Sequence, residues 1–276
     1  MDEKLQELKA RFLEISDLYS SAALLGWDQS TYMPPGGAPA RARQLGLLQR
    51  LAHERHTDPA LGRLLDDLAP YEDSLAYDSD EASLIRVSRR FYDRLTKVPP
   101  SFVAQVAAHT TESFQVWTKA RPANNFAAVQ PHLEKTLEFS RQYAEYFPGY
   151  EHIADPLIAR ADYGMSASTV RAVFADLREQ LVPIARAIAA QPTADDSCLR
   201  QAFPEAEQWA FGLDVIGRFG YDFDRGRQDK APHPFTTGFS IGDVRLTTRV
   251  DEGHLNPALF ATMHEAGHGM YEQGIR

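Results

Sequence analysis

His264-Glu265-Ala266-Gly267-His268 sets two imidazoles four residues apart, with a carboxylic acid beside the first. On a helix that spacing stacks both rings on one side, a turn apart, where they can grip a single divalent metal ion. Glu265 then stands ready as general base for a water activated by that metal. The pattern points to metal-assisted hydrolysis of a peptide bond. Two histidines leave the ion short of a third protein ligand. The nearby candidates are Glu272 and His254. Glu272 lies more than two turns from His264, and His254 precedes the helix, so neither is well spaced.

The element that must carry these residues is the last helix. Asn256 suits its N-cap, Pro257 its first turn and Gly274 its end. Helical steps of about 100° gather Leu259, Phe260, Met263, Gly267, Met270 and Tyr271 on one apolar face, which is expected to be the buried one. That arrangement puts His264 and His268 at the margin of the face and turns Glu265 outward.

Immediately upstream the periodicity changes. Residues 235–240, a turn at 241–243 and residues 244–250 read as a β-hairpin, because Val244, Leu246, Thr248 and Val250 alternate with Arg245, Thr247 and Arg249. Arg245 is a candidate to bind a substrate's terminal carboxylate in bidentate fashion. Asp243 is a candidate partner for an arginine or support for a ligating histidine. The polar run 221–234 reads as a loop, which leaves the hairpin as the one convincing β element.

The rest of the chain is helical in pattern. Leu5, Leu8, Phe12, Ile15, Leu18 and Tyr19 fall at steps of three and four, and their helix runs on toward Trp27. The run Met33 to Gly37 breaks it. A second helix opens near Pro39, and Asp58-Pro59 reads as an N-cap with proline in the first turn. Further helices are expected near 79–96, 101–119, 125–146, 166–190 and 204–218, with loops at Pro148-Gly149, Asp155-Pro156 and Gln191-Pro192. The three tryptophans are most simply core residues.

Composition narrows the function classes. A net charge of −9 argues against a nucleic-acid partner, which would need a basic surface. The single cysteine, Cys198, rules out an internal disulfide framework. No apolar run reaches membrane-spanning length and no signal peptide is visible, so the cytoplasm is the expected location.

With these residues in view, the chain resembles the M32 family of metallocarboxypeptidases, the thermostable carboxypeptidase Taq type. The resemblance rests on Trp27-Asp28-Gln29 with Met33-Pro34, Gly36-Gly37, Arg41-Ala42 and Gln44, on His233-Pro234-Phe235, on Asp243-Val244-Arg245-Leu246-Thr247, and on the motif from His264 to His268. It implies a mainly α, zincin-like fold with a long cleft and a small β-hairpin beside the metal helix. Residues 1–276 would form a single mostly helical domain. It implies release of C-terminal residues from peptides with a free C-terminus, Zn2+ as the metal with Co2+ or Mn2+ as substitutes, and a homodimer at full length. By the match, His264 and His268 are metal ligands and Glu265 is the base. Arg245, Asp243 and His233 belong to the substrate side. The family's third ligand is a glutamate on a later helix, so the chain reads as a truncated, N-terminal half. The competing reading is a non-catalytic fragment or peptide-binding module that lacks the third ligand.

Overall fold

The computed structural model describes residues 2–275, with every side chain among them except those of Thr111, Phe114, Gln115 and Thr118. The chain divides into two compact units, one from Met1–Arg86 with Ala194–Arg276, the other from Val87–Thr193.

The first unit is built on α1 (Asp2–Thr31), which buries Leu5, Leu8, Ile15, Ala22 and Trp27. Helices α2 (Ala38–His56) and α3 (Pro59–Glu72) pack against it. The side chain of Asp58 caps α3, accepting from the Ala60 N–H at 2.8 Å, with Pro59 in the first turn as the sequence predicts. Arg41 of α2 reaches back to α1, pairing with Asp28 at 2.6 Å and donating to the Leu25 carbonyl. Helix α1 therefore outlasts its apolar stripe, ending beyond Trp27 with its last turn tied by this arginine.

The second unit includes most of α4 (Asp80–Lys97), then α5 (Pro100–Ala120), α6 (Phe126–Glu145), α7 (Asp155–Ala161) and α8 (Ala167–Ala189). Val98, Phe102, Phe139 and Phe147 form its core. Helix α7 replaces the loop expected at Asp155-Pro156. It is held by Asp155, which is buried and accepts from the backbone N–H groups of Ala167 at 2.7 Å and His152 at 2.9 Å. Seven residues are too few for a periodic pattern to register, and the helix depends on those tertiary bonds. On α8 only Ala167 is buried, and Phe174, Leu177, Leu181, Ile184 and Ile188 lie exposed.

Back in the first unit, α9 (Glu205–Phe219) ends at Gly220, whose φ of 108° is the left-handed turn that glycine accepts without strain. The sheet that follows has three strands rather than a hairpin alone: β1 (Gly226–Lys230), β2 (Thr236–Ser240) and β3 (Asp243–Thr248), in the order β1-β3-β2. The expected hairpin is present, β2 lying antiparallel to β3, while β1 pairs with β3 in parallel. Strand β1 escaped the sequence pattern because Gly226-Arg227-Gln228-Asp229-Lys230 has no apolar residue to alternate. Its buried residues are the polar Gln228 and Asp229. Asp229 tolerates burial because Arg227 grips both its oxygens at 2.6 and 2.7 Å and the Tyr32 hydroxyl donates to it at 2.5 Å.

Successive side chains on a strand point to opposite faces, and the sheet uses this to separate two environments. Arg227, Asp229 and Arg245 lie on the face toward Trp27 and Tyr32 of α1. Val244, Leu246, Thr248 and Thr236 face α10 (Leu255–Gly274). On that side Leu246, Ile216, Tyr221 and Ala266 make a buried core, with Leu213 and Met270 against it. The Tyr221 hydroxyl is buried and donates to the Val244 carbonyl at 2.6 Å, and burial pushes its ionisation well above the ordinary tyrosine value.

Candidate metal centre

Helix α10 carries the paired histidines, but it packs on a different face from the one its hydrophobicity predicts. Its buried residues are Ala258, Thr262, Glu265, Ala266, Gly269 and Gln273. Phe260 and Tyr271, expected inside, are 59% and 72% exposed. Size explains the difference. A Cβ on Gly269 would lie 2.9 Å from both Leu246 and Tyr221, so the helix comes closer to β3 than a larger side chain permits. Counting apolar residues favoured the bulky face, whereas close approach is available only along the small one. Two capping expectations shift as well. The helix begins at Leu255, with His254 rather than Asn256 at the cap position, and Gly274 is its last residue. The final turn is anchored by Gln273, which exchanges hydrogen bonds with the backbone of Asp222 at 2.9 and 3.1 Å.

This rotation decides how the motif is presented. His264 and His268 are exposed, and Glu265, expected to turn outward, is buried at 7% exposure. The imidazole Nε2 atoms of His264 and His268 stand 3.3 Å apart, with their ring planes at 85°. A tetrahedral ion with bonds of about 2.0–2.1 Å to nitrogen separates two ligand nitrogens by about 3.3–3.4 Å. The pair therefore fits two corners of such an ion. Among the described residues no group of three His, Cys, Asp or Glu side chains could hold a metal, so neither Glu272 nor His254 completes the set.

Beside the pair lies an open cavity of about 390 Å³ lined by His233, Thr236, Glu265, His268 and Glu272, with Pro234, Phe235 and Gly238. The wall formed by His233-Pro234-Phe235 is fastened to β3 by Thr247. Its hydroxyl accepts from the Phe235 N–H at 2.8 Å and donates to the Phe235 carbonyl at 3.1 Å, and the Thr247 N–H donates to that carbonyl at 2.9 Å. At the helix–sheet contact itself, the Thr236 hydroxyl lies 2.6 Å from Glu265 Oε2 and 2.9 Å from the Glu265 carbonyl. Thr236 is the site residue that motif reading passed over. Its only signal is its place directly after His233-Pro234-Phe235, at the start of a strand.

The structure thus brings together His264, Glu265, His268 and His233, with Glu272 on the same cavity. Arg245 and Asp243 lie elsewhere, on the sheet face toward α1. Arg245 donates to both oxygens of Asp243 at 2.7 and 2.8 Å, and its guanidinium stacks 4.5 Å from the Trp27 ring and 5.1 Å from Phe239.

A mainly helical chain with paired histidines and an intervening glutamate on a helix packed against a small sheet has the build of a metallopeptidase. The chain belongs to the carboxypeptidase Taq (M32) metallopeptidase family, whose model matches residues 7–276. It is 34% identical over 275 residues to thermostable carboxypeptidase 1 of Thermus thermophilus, covering 95% of this chain and 53% of that protein. With carboxypeptidase 1 of Bacillus subtilis it shares 32% identity over 262 residues, covering 95% and 52%. It also superposes on the crystal structure of the M32 carboxypeptidase from Deinococcus radiodurans R1 with a TM-score of 0.88 at 44% identity, covering 99% of this chain and 54% of that one. The chain spans about half the length of the curated relatives it matches.

Proposed function

We propose that these residues form part of a metal-dependent carboxypeptidase that releases C-terminal residues from peptides. The observation that carries this reading is the Nε2–Nε2 separation of 3.3 Å between His264 and His268, beside a buried Glu265 at an open cavity. His264 and His268 would hold the ion, zinc in the first instance with cobalt or manganese as substitutes, and the ligand set is completed from outside the described residues. A divalent ion there supplies Lewis acidity, making a water more acidic and the scissile carbonyl more electrophilic. Glu265 takes a proton from the attacking water and delivers it to the departing amine. His233 lines the substrate side of the cavity. The Asp243–Arg245 pair acts from behind the sheet, fixing β3 rather than entering the cavity. Cytoplasmic location and assembly as a homodimer belong to the same proposal.

The second reading, a peptide-binding module without turnover, is favoured by one observation, the missing third donor among the described residues. Metal analysis of purified protein, combined with hydrolysis of N-blocked dipeptides, separates the two. About one tightly held zinc per chain with release of the C-terminal amino acid supports the peptidase. Metal-free protein that still binds peptides supports the module.

A further inference from the structure

We propose that Thr236 is the positioning residue for Glu265, its hydroxyl selecting the carboxylate orientation from which Glu265 serves as base. This deepens the peptidase reading and rests on it. Glu265 sits at 7% exposure, on the same helix stripe as Ala258, Thr262, Ala266, Gly269 and Gln273. A carboxylate with so little exposed surface needs a donor for its lone pairs. The donor within reach is Thr236, 2.6 Å from Oε2, a short contact of the charge-assisted kind.

Thr236 is well placed to impose an orientation. It begins β2, and its neighbour across the pair is the fully buried Leu246 of β3. Phe235, directly before it, is tied to Thr247 from both its N–H and its carbonyl. The backbone at Thr236 is thereby held on both sides. As a β-branched residue, threonine also has few side-chain rotamers to choose from. The same hydroxyl lies 2.9 Å from the Glu265 carbonyl, and because it carries a single proton the carbonyl and the carboxylate are alternative acceptors for it, the shorter contact being to the carboxylate. Holding Oε2 leaves the second oxygen, Oε1, to receive the proton from water.

A purely structural clip would use only the contact to the Glu265 carbonyl and would be indifferent to where the carboxylate points. Crystal structures of Thr236→Val and Thr236→Ser beside the unaltered chain separate these cases without requiring turnover. We expect Glu265 to keep one carboxylate orientation in the unaltered chain and in T236S. In T236V it should turn away or spread over several orientations, while the His264–His268 nitrogen separation stays the same. A Glu265 carboxylate that holds its place in T236V overturns the proposal. Hydrolysis of an N-blocked dipeptide adds a second arm. Displacing a catalytic group by about 1 Å can cost on the order of a hundredfold. T236V should therefore lose about tenfold to a hundredfold in kcat with KM within about twofold, and T236S should recover most of it. Equal kcat in T236V and the unaltered chain also overturns the proposal. An inactive unaltered chain counts against the peptidase reading alone, and the crystallographic arm still decides the role of Thr236.

Discussion

Arg245 and Asp243 meet in a two-pronged ion pair, with N–O distances of 2.7 and 2.8 Å, and the guanidinium lies against the rings of both Trp27 and Phe239. An arginine so engaged joins α1 to the sheet. Arg245→Ala should cost about 1–2 kcal/mol of stability, from the lost stacking and the lost, partly exposed ion pair. Arg245→Lys should recover little, because an ammonium cannot reproduce the fork. Urea unfolding measures the loss. Zinc titration by calorimetry should show unchanged affinity, since the residue lies across the sheet from His264 and His268.

The two halves of the metal motif should separate cleanly. His264→Ala removes one of the two proposed ligands and should lower the affinity for zinc at least tenfold. Glu265→Gln keeps both imidazoles and should bind zinc within a few-fold of the unaltered chain while abolishing peptide hydrolysis. Metal content by mass spectrometry, set beside an activity assay, distinguishes them. A chelator should reproduce the His264→Ala result and added zinc should reverse it.

Thr247 is fully buried and bonded through its side chain to both backbone groups of Phe235. Thr247→Val preserves its shape and removes those bonds, leaving the Phe235 N–H without its acceptor. The expected cost is about 1–3 kcal/mol. Faster hydrogen exchange should be confined to residues 233–236, the wall of the cavity.

Gly269→Ala introduces a methyl group 2.9 Å from Leu246 and Tyr221, both of them buried and one of them in a strand. Overpacking of this kind costs about 1–3 kcal/mol. The midpoint of thermal unfolding should fall accordingly. Gly267→Ala, at a position with open space around it, should raise helix stability slightly.

Acid should act on the second unit through Asp155. The Ala167 N–H, with that of His152, holds its carboxyl below the ordinary value of 3.8. In the pH range between the folded and unfolded values the unfolded chain binds more protons, so stability rises with pH there. The contribution is complete above about pH 5 and is lost as pH falls through the folded-state value. Asp155→Asn should flatten this part of an acid unfolding curve followed by circular dichroism.

Much of the architecture was legible because long amphipathic helices repeat their pattern many times. The start of α3, with Asp58 and Pro59, and the end of α9, with its stop at Gly220, followed from local chemistry that needs no tertiary partner. The hairpin was legible from the alternation of Val244, Leu246 and Thr248. Strand β1 was not, because its buried Asp229 is satisfied by Tyr32 and Arg227, and the Tyr32 contact lies far away in sequence. The packing face of α10 was misjudged because hydrophobic periodicity does not weigh side-chain volume, and Gly269 matters there for being small. At the site, the spacing of His264 and His268 was sufficient to foresee convergent nitrogens. The burial of Glu265 and its bond to Thr236 arise only when β2 meets α10, which no local pattern encodes.

The position of β2 at the rim of the sheet has one further consequence. Its partner lies on one side alone, and its pairing with β3 loses regularity between Gly238 and Ser240. A short, bent border is a poor template for the stacking of one molecule's sheet on another's. A strand so placed and so bent is a poor surface for the fibrous self-association that a long straight margin would risk.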